Sequence, residues 1–231
     1  MNLKLIKCHF TFNFNFITIL LVVVIFVLTL IFNFINISTL NTGISTYNLV
    51  NSYFDTALNF ITFISCSFSI VIFSFSFLSK QDSYLSYLIG PKIRKDNYFI
   101  TKVITNILVN LFLLLLEFIS LIFPLVINKI TEYNLNLMMI FLDILIVMTY
   151  YGLLSLLLVV TFDNFYLSMI PIIIYVFSSN IYSMPLDIIN ILKYVIPFFN
   201  QELILISSRG FILMEIVFFM LINLILYIFH D

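Results

Sequence analysis

The stretch from Phe14 to Ile37 carries no charged side chain, and this constrains the chain more than any motif in it. The hydrocarbon core of a bilayer is about 30 Å thick, and an α-helix crosses it with about 20 apolar residues. Comparable apolar runs recur at Leu58–Leu78, Val103–Ile127, Leu137–Val160, Phe165–Met184 and Phe211–Ile228. The runs are continuous and do not alternate with polar residues, so they predict helices and not barrel strands. Composition agrees: 63% of the 231 residues are hydrophobic and 9% are charged, against roughly 25% charged in a soluble domain. The expected architecture is an all-α integral membrane protein, one transmembrane domain over residues 1–231 with six spans. A formal net charge of -1 gives no reason to expect nucleic acid as a partner.

Orientation follows from the cations. Lys4, Lys7, Lys80, Lys92, Arg94, Lys95 and Lys102 flank the spans on one side, and Lys129, Lys193 and Arg209 fall on the other. The positive-inside rule then places the N-terminus and the 79–102 connection in the cytoplasm. Six spans return the C-terminus to the same side of the cell membrane. The first run follows Lys4 and Lys7 as a signal peptide would, but it is too long for one and has no small-residue cleavage site. It is therefore read as a retained anchor. Cys8 at the inner edge and Cys66 at mid-membrane lie too far apart in depth for a disulfide.

Several chemistries are excluded. There is no Gly-rich phosphate loop ending in Lys-Ser/Thr, no HExxH helix, no GxSxG nucleophile turn and no metal-ligand spacing of cysteines. The chain is expected to be a transport subunit, not an enzyme, with no cofactor or metal of its own.

Polar residues inside the spans are the informative ones, because a charge at the centre of a membrane helix costs about 2.5–3.5 kcal/mol on insertion scales. Lys102, Asn106, Asn110, Glu117 and Ser120 fall within about 40° of one direction on the third span, counting about 100° per residue. Asn59, Thr62, Cys66 and Ser69 form a milder stripe on the second. Such stripes line a substrate path or subunit interface, or they hydrogen-bond neighbouring helices. Asn59, Asn106, Asn110, Glu117 and Asp143 are the candidate path or interface residues. Asp143 and Glu215 sit in the outer halves of their spans, where Lys129 or Arg209 is expected to neutralise them.

Two connections differ from the other, short loops. The outer segment 185–210 holds two apolar stretches separated around Pro197, each too short to span, and predicts interfacial or re-entrant helices. The segment 79–102 has an acidic Asp82 and then a short amphipathic helix carrying Leu85 and Leu88. Gly90-Pro91 breaks that helix, and basic Lys92, Arg94 and Lys95 follow. Tyr98 and Lys102 mark the headgroup level of the next span.

This segment resembles the corresponding loop in permease subunits of ABC-2 type exporters. That family has an acidic residue after the second span, a leucine-rich helix, a Pro, an Arg three positions later, and an aromatic residue and a Lys entering span three. Here Asp82, Leu85, Leu88, Pro91, Arg94, Tyr98 and Lys102 take those places. Ser83-Tyr84 stands where Gly-Thr is common, and Pro91-Lys92-Ile93-Arg94 replaces Pro-Ile-Ser-Arg. The resemblance extends more loosely to the six spans, the basic N-terminal stub and the broken outer segment. It implies a type V exporter-like fold with a coupling helix over Asp82–Lys95, and a connecting helix along the membrane surface near Lys4–Phe10. The ATPase-coupling residues are then Asp82, Leu85, Leu88, Pro91, Arg94 and Lys95. It further implies cytoplasmic ABC ATPase subunits that hold ATP and Mg, and a second permease copy, the same or a homologous chain. A small permease without a large outer domain points to export of an amphipathic peptide, toxin or bacteriocin, or to immunity against one. The alternative expectation is a secondary transporter or an intramembrane enzyme acting on peptides or lipids. Against it, the prolines show no inverted repeat and no paired catalytic groups share one depth.

Overall fold

The computed structural model describes residues 9, 16–40, 46–79, 94–130, 136–179, 196–197 and 209–229. Among them the chain is all-helical. The helices are α1 (Phe16–Leu40), α2 (Thr46–Phe77), α3 (Lys95–Ile127), α4 (Leu137–Phe162), a 3-10 turn Leu167–Met169 leading into α5 (Ile170–Ser179), and α6 (Arg209–Phe229). Five of them, all except α5, hold stretches long and apolar enough to cross a bilayer. The chain is thus an all-α membrane protein of the multi-pass kind.

The described part of the fifth expected span, residues 165–179, holds the short apolar segment Leu167–Ser178; residues 180–184 lie outside the described residues. Pro171 falls in the first turn of α5, where a missing N–H breaks no intrahelical bond. The expected coupling helix with Asp82, Leu85, Leu88 and Pro91 also lies outside the described residues, as do Lys4, Lys7 and Cys8. So does the outer segment, apart from Ile196, Pro197, Arg209 and Gly210.

The helices outrun their apolar cores. α2 has 32 residues and α3 has 33, about 48–50 Å each at 1.5 Å per residue, well beyond a core of about 30 Å. α2 therefore starts at Thr46, before the expected Leu58, and α3 starts at Lys95, before the expected Val103. A helix satisfies its backbone hydrogen bonds internally, so nothing forces it to end where the hydrocarbon does. The C-terminal part of the expected 79–102 loop is consequently helical.

Burial separates a centre from a periphery. α2 and α4 form the most extensively packed pair, α6 lies against α4, and α1 lies against α3 and α2. Tyr53, Phe54, Leu58, Ile61, Ile144, Val147 and Tyr151 belong to the main core. α1 buries a single stripe of Val22, Thr29, Asn33 and Ile37 and exposes Leu20, Val23, Val27, Leu28, Ile31 and Ile35. α6 is similar, with Met214, Val217, Phe218 and Leu221 exposed and Ile212 and Asn223 buried. In water such faces would drive association, whereas in lipid they are the solvated surface.

Close approach of α2 to α4 depends on a glycine. A Cβ built on Gly152 would stand 2.5 Å from Ser69 Oγ and 2.6 Å from Phe73 Cδ2. Small residues at such contacts let helix backbones approach, which drives association where the hydrophobic effect cannot. Ser69 Oγ donates to the Met148 carbonyl at 2.7 Å, and Ser155 Oγ donates to the Ile70 carbonyl at 3.3 Å.

Candidate functional site

Among the described residues, the polar stripe of α3 packs inside the helix bundle. It is fully buried, against α2 along most of its length and against α1 at Ser120. Lys102, Asn106, Asn110, Glu117 and Ser120 are each 0% exposed. Asn106 Nδ2 donates to Ser76 Oγ at 2.7 Å, Asn110 Nδ2 donates to Ser69 Oγ at 2.8 Å, and Ser65 Oγ donates to Glu117 Oε2. The α2 partners descend that helix as the α3 partners ascend theirs, so the two helices run antiparallel with a polar seam between them. Of the two readings of such stripes, hydrogen bonding between neighbouring helices describes Asn106 and Asn110. Bonds of this kind contribute about 0.6 kcal/mol on average in a membrane, enough to fix register and too little to hold the helices together.

The α2 side of the seam differs from the sequence reading. Ser65, Ser69 and Ser76 share one direction within about 40°, about 60° round from the centre of the Asn59–Thr62–Cys66–Ser69 stripe. Asn59 lies about 120° from Ser65 on the helical wheel and is exposed. Thr62 returns its hydroxyl to the Leu58 carbonyl at 2.6 Å. Cys66 is buried as a free thiol. Ser65 and Ser76 escape a reading of α2 alone because serine is a weak signal in a membrane helix. Their spacing to Ser69, four and seven residues, is what marks them.

At the Glu117 end α1 joins in. Asn33 Nδ2 donates to Ser120 Oγ at 3.3 Å. Ser120 Oγ donates to the Glu117 carbonyl at 2.7 Å and lies 3.3 Å from Thr29 Oγ1. Thr29 spends its own proton on the Ile25 and Phe26 carbonyls. Among the described residues, Glu117 Oε1 and Asn33 Oδ1 are buried without a hydrogen-bond partner. Neither Thr29 nor Asn33 is marked by the sequence beyond its i, i+4 spacing on an otherwise apolar helix.

Glu117 contrasts with the other buried acid. Asp143 accepts a two-pronged ion pair from Arg209, with Nε 2.6 Å from Oδ1 and Nη2 2.8 Å from Oδ2. The Asp143 side chain is 6% exposed and the Arg209 side chain 51%. This is the expected neutralisation, made by Arg209 and not by Lys129, and it ties the start of α6 to α4. A planar guanidinium matched to a carboxylate is among the stronger charge-assisted pairs. Glu215 is half-buried, and among the described residues no ion pair is recorded for it.

The basic end of the bundle is a ring cluster. Lys102 Nζ stands 4.5 Å from the Phe77 ring centroid and 5.3 Å from that of Tyr98, within cation–π range. Tyr98 stacks on Tyr227 and takes the His9 ring edge-on at 4.8 Å. The sequence reading set Tyr98 and Lys102 at a lipid headgroup boundary; here both are buried within the cluster. Arg94, the N-cap of α3, is exposed and pairs with Asp96 at 2.8 Å. Lys95 Nζ reaches the Ile228 carbonyl at 3.5 Å. On the other flank of the expected coupling segment, Asp163 caps α4 in the left-handed region at φ 46. Its carboxylate accepts the Ser79 backbone N–H at 2.9 Å and the Ser79 hydroxyl at 2.5 Å. Ser79 and Lys95, which flank residues 80–93, thus each contact a neighbouring helix end, at Asp163 and Ile228.

No family model matches this chain, and no curated protein matches it either.

Proposed function

We propose that the chain is the membrane-spanning permease subunit of an ATP-driven ABC exporter. It would work with separate cytoplasmic ATPase subunits, which carry ATP and Mg, and with a second permease copy. The observation that carries this reading is the 79–102 segment, with its Asp82, Leu85, Leu88, Pro91, Arg94, Tyr98 and Lys102 pattern, between two long apolar helices. The local geometry supports it. A lever that transmits force needs rigid attachment at both ends. The Asp163–Ser79 bonds supply one attachment, and the Lys102–Phe77–Tyr98 cluster supplies the other.

In this reading ATP-driven closure of the ATPases pushes on the segment, and the permease interface rearranges to extrude its cargo. The exposed apolar faces of α1 and α6 and the exposed Asn59 offer surface for lipid and for the second copy. The cargo class is an amphipathic peptide, toxin or bacteriocin, with the segment and both termini in the cytoplasm of the plasma membrane. A second reading, an ion-coupled secondary transporter, rests on the single buried Glu117. The bench test replaces Leu85 and Leu88 by Asp. The exporter reading expects loss of ATPase association with the permease still inserted, and unchanged association sinks the coupling assignment.

A further inference from the structure

We propose that Glu117 binds an exchangeable monovalent cation, a proton or an alkali ion, at the junction of α1, α2 and α3. The inference goes beyond the exporter reading and does not depend on it.

The first argument is charge. Glu117 is 0% exposed, and a carboxylate removed from water needs a positive charge beside it. None of the described cations serves. Lys102 shares its face of α3 but is 15 positions away, about 22 Å along the axis, and Lys129 is 12 positions the other way, about 18 Å. Arg209 is engaged with Asp143, and Arg94 and Lys95 lie farther still beyond Lys102. The titratable groups that face this region from the packed helices bring no positive charge either. From α2 these are the Cys66 thiol and Tyr53, whose hydroxyl donates to the Leu121 carbonyl at 2.7 Å. Around Cys66 stand Tyr151 of α4 and Tyr175 of α5, neither of which carries a positive charge. From α1 there are only Thr29 and Asn33, which do not titrate.

The second argument is the donor–acceptor balance. Glu117 Oε1 and Asn33 Oδ1 are both acceptors, both fully buried, and both lack a donor among the described residues. Ser65 gives its one proton to Oε2 and Ser120 gives its one proton to the Glu117 carbonyl. A buried carboxyl group whose Oε1 has no donor among the described residues suits a proton or a hard monovalent cation; an anion would need the reverse.

The test is infrared difference spectroscopy of the purified full chain in lipid nanodiscs. Spectra are taken for a step from acidic to alkaline buffer and, at fixed pH, for exchange of choline by sodium or potassium. A proton ligand gives a carboxylic-acid carbonyl band in the pH difference that E117Q abolishes. An alkali ligand gives a carboxylate band shifted by the cation exchange, again abolished by E117Q. Wild-type and E117Q spectra that coincide in both experiments overturn the proposal, because the carboxyl group then exchanges nothing. Should E117Q not fold, Ser65→Ala replaces it: the exchanging band must shift when the Oε2 donor is removed, and an unshifted band overturns the assignment to Glu117. An ATPase partner, present or absent, leaves all these outcomes unchanged, so the site and the exporter reading fail separately.

Discussion

Gly152→Ala is the substitution whose consequence can be worked most directly from the structure. The added methyl meets Ser69 Oγ at 2.5 Å and Phe73 Cδ2 at 2.6 Å, and neither neighbour can yield freely. Ser69 is held by Asn110 on α3 and by the Met148 carbonyl on α4. Phe73 is 0% exposed in a second core cluster with Phe77, Phe99 and Leu156. Overpacking of a tight core costs about 1–3 kcal/mol. Displacing Ser69 adds two hydrogen bonds at about 0.6 kcal/mol each, and the better helix propensity of Ala returns about 1 kcal/mol. The net expectation is a loss of about 1–3 kcal/mol. Reversible unfolding in mixed detergent micelles, followed by helical circular dichroism, measures it. Gly152→Leu should be worse, and Ser69→Ala in the Gly152→Ala background should recover part of the loss. Unchanged or increased stability of Gly152→Ala would refute the close approach of α2 and α4.

Other consequences follow from single contacts. Asp143→Ala should destabilise the bundle by about 1–3 kcal/mol, because it strands Arg209, whose own exposure limits the damage; the exchanged pair Asp143→Arg with Arg209→Asp should recover part of it in the same unfolding assay. Lys102→Gln should cost about 0.5–2 kcal/mol through the lost cation–π contacts with Phe77 and Tyr98, and Phe77→Leu should reduce that cost in a double-mutant cycle. Asp163→Ala should cost about 1–2 kcal/mol, since it removes both bonds to Ser79 and puts alanine at a positive φ. Asp163→Asn, which keeps an acceptor and tolerates that conformation, should cost less.

The sequence makes the membrane class legible because lipid solvation demands long charge-poor runs, and nothing else in the chain competes with that signal. Helix ends are less legible. Apolar counting finds the hydrocarbon boundary, while α2 and α3 continue past it to Thr46 and Lys95. The buried stripe of α3 is readable because Lys102, Asn106, Asn110 and Glu117 are costly residues that must share a face. Its partners on α2 are serines, which hydrogen-bond locally anywhere, so the wheel reading drifts toward Asn59 and away from Ser65. The Asp143–Arg209 pair joins residues 66 positions apart; charge arithmetic narrows the candidates to two cations, and only the packing of α6 against α4 selects Arg209. Thr29, Asn33 and Gly152 act through tertiary approach, which no periodicity records.

The exporter reading is tested most directly by mild-detergent purification of the tagged chain and mass spectrometry of whatever accompanies it. It predicts a stoichiometric soluble protein carrying a phosphate-binding loop, with any second permease in the same sample. Recovery of the chain without an ATPase, under conditions that keep such complexes intact, would contradict it.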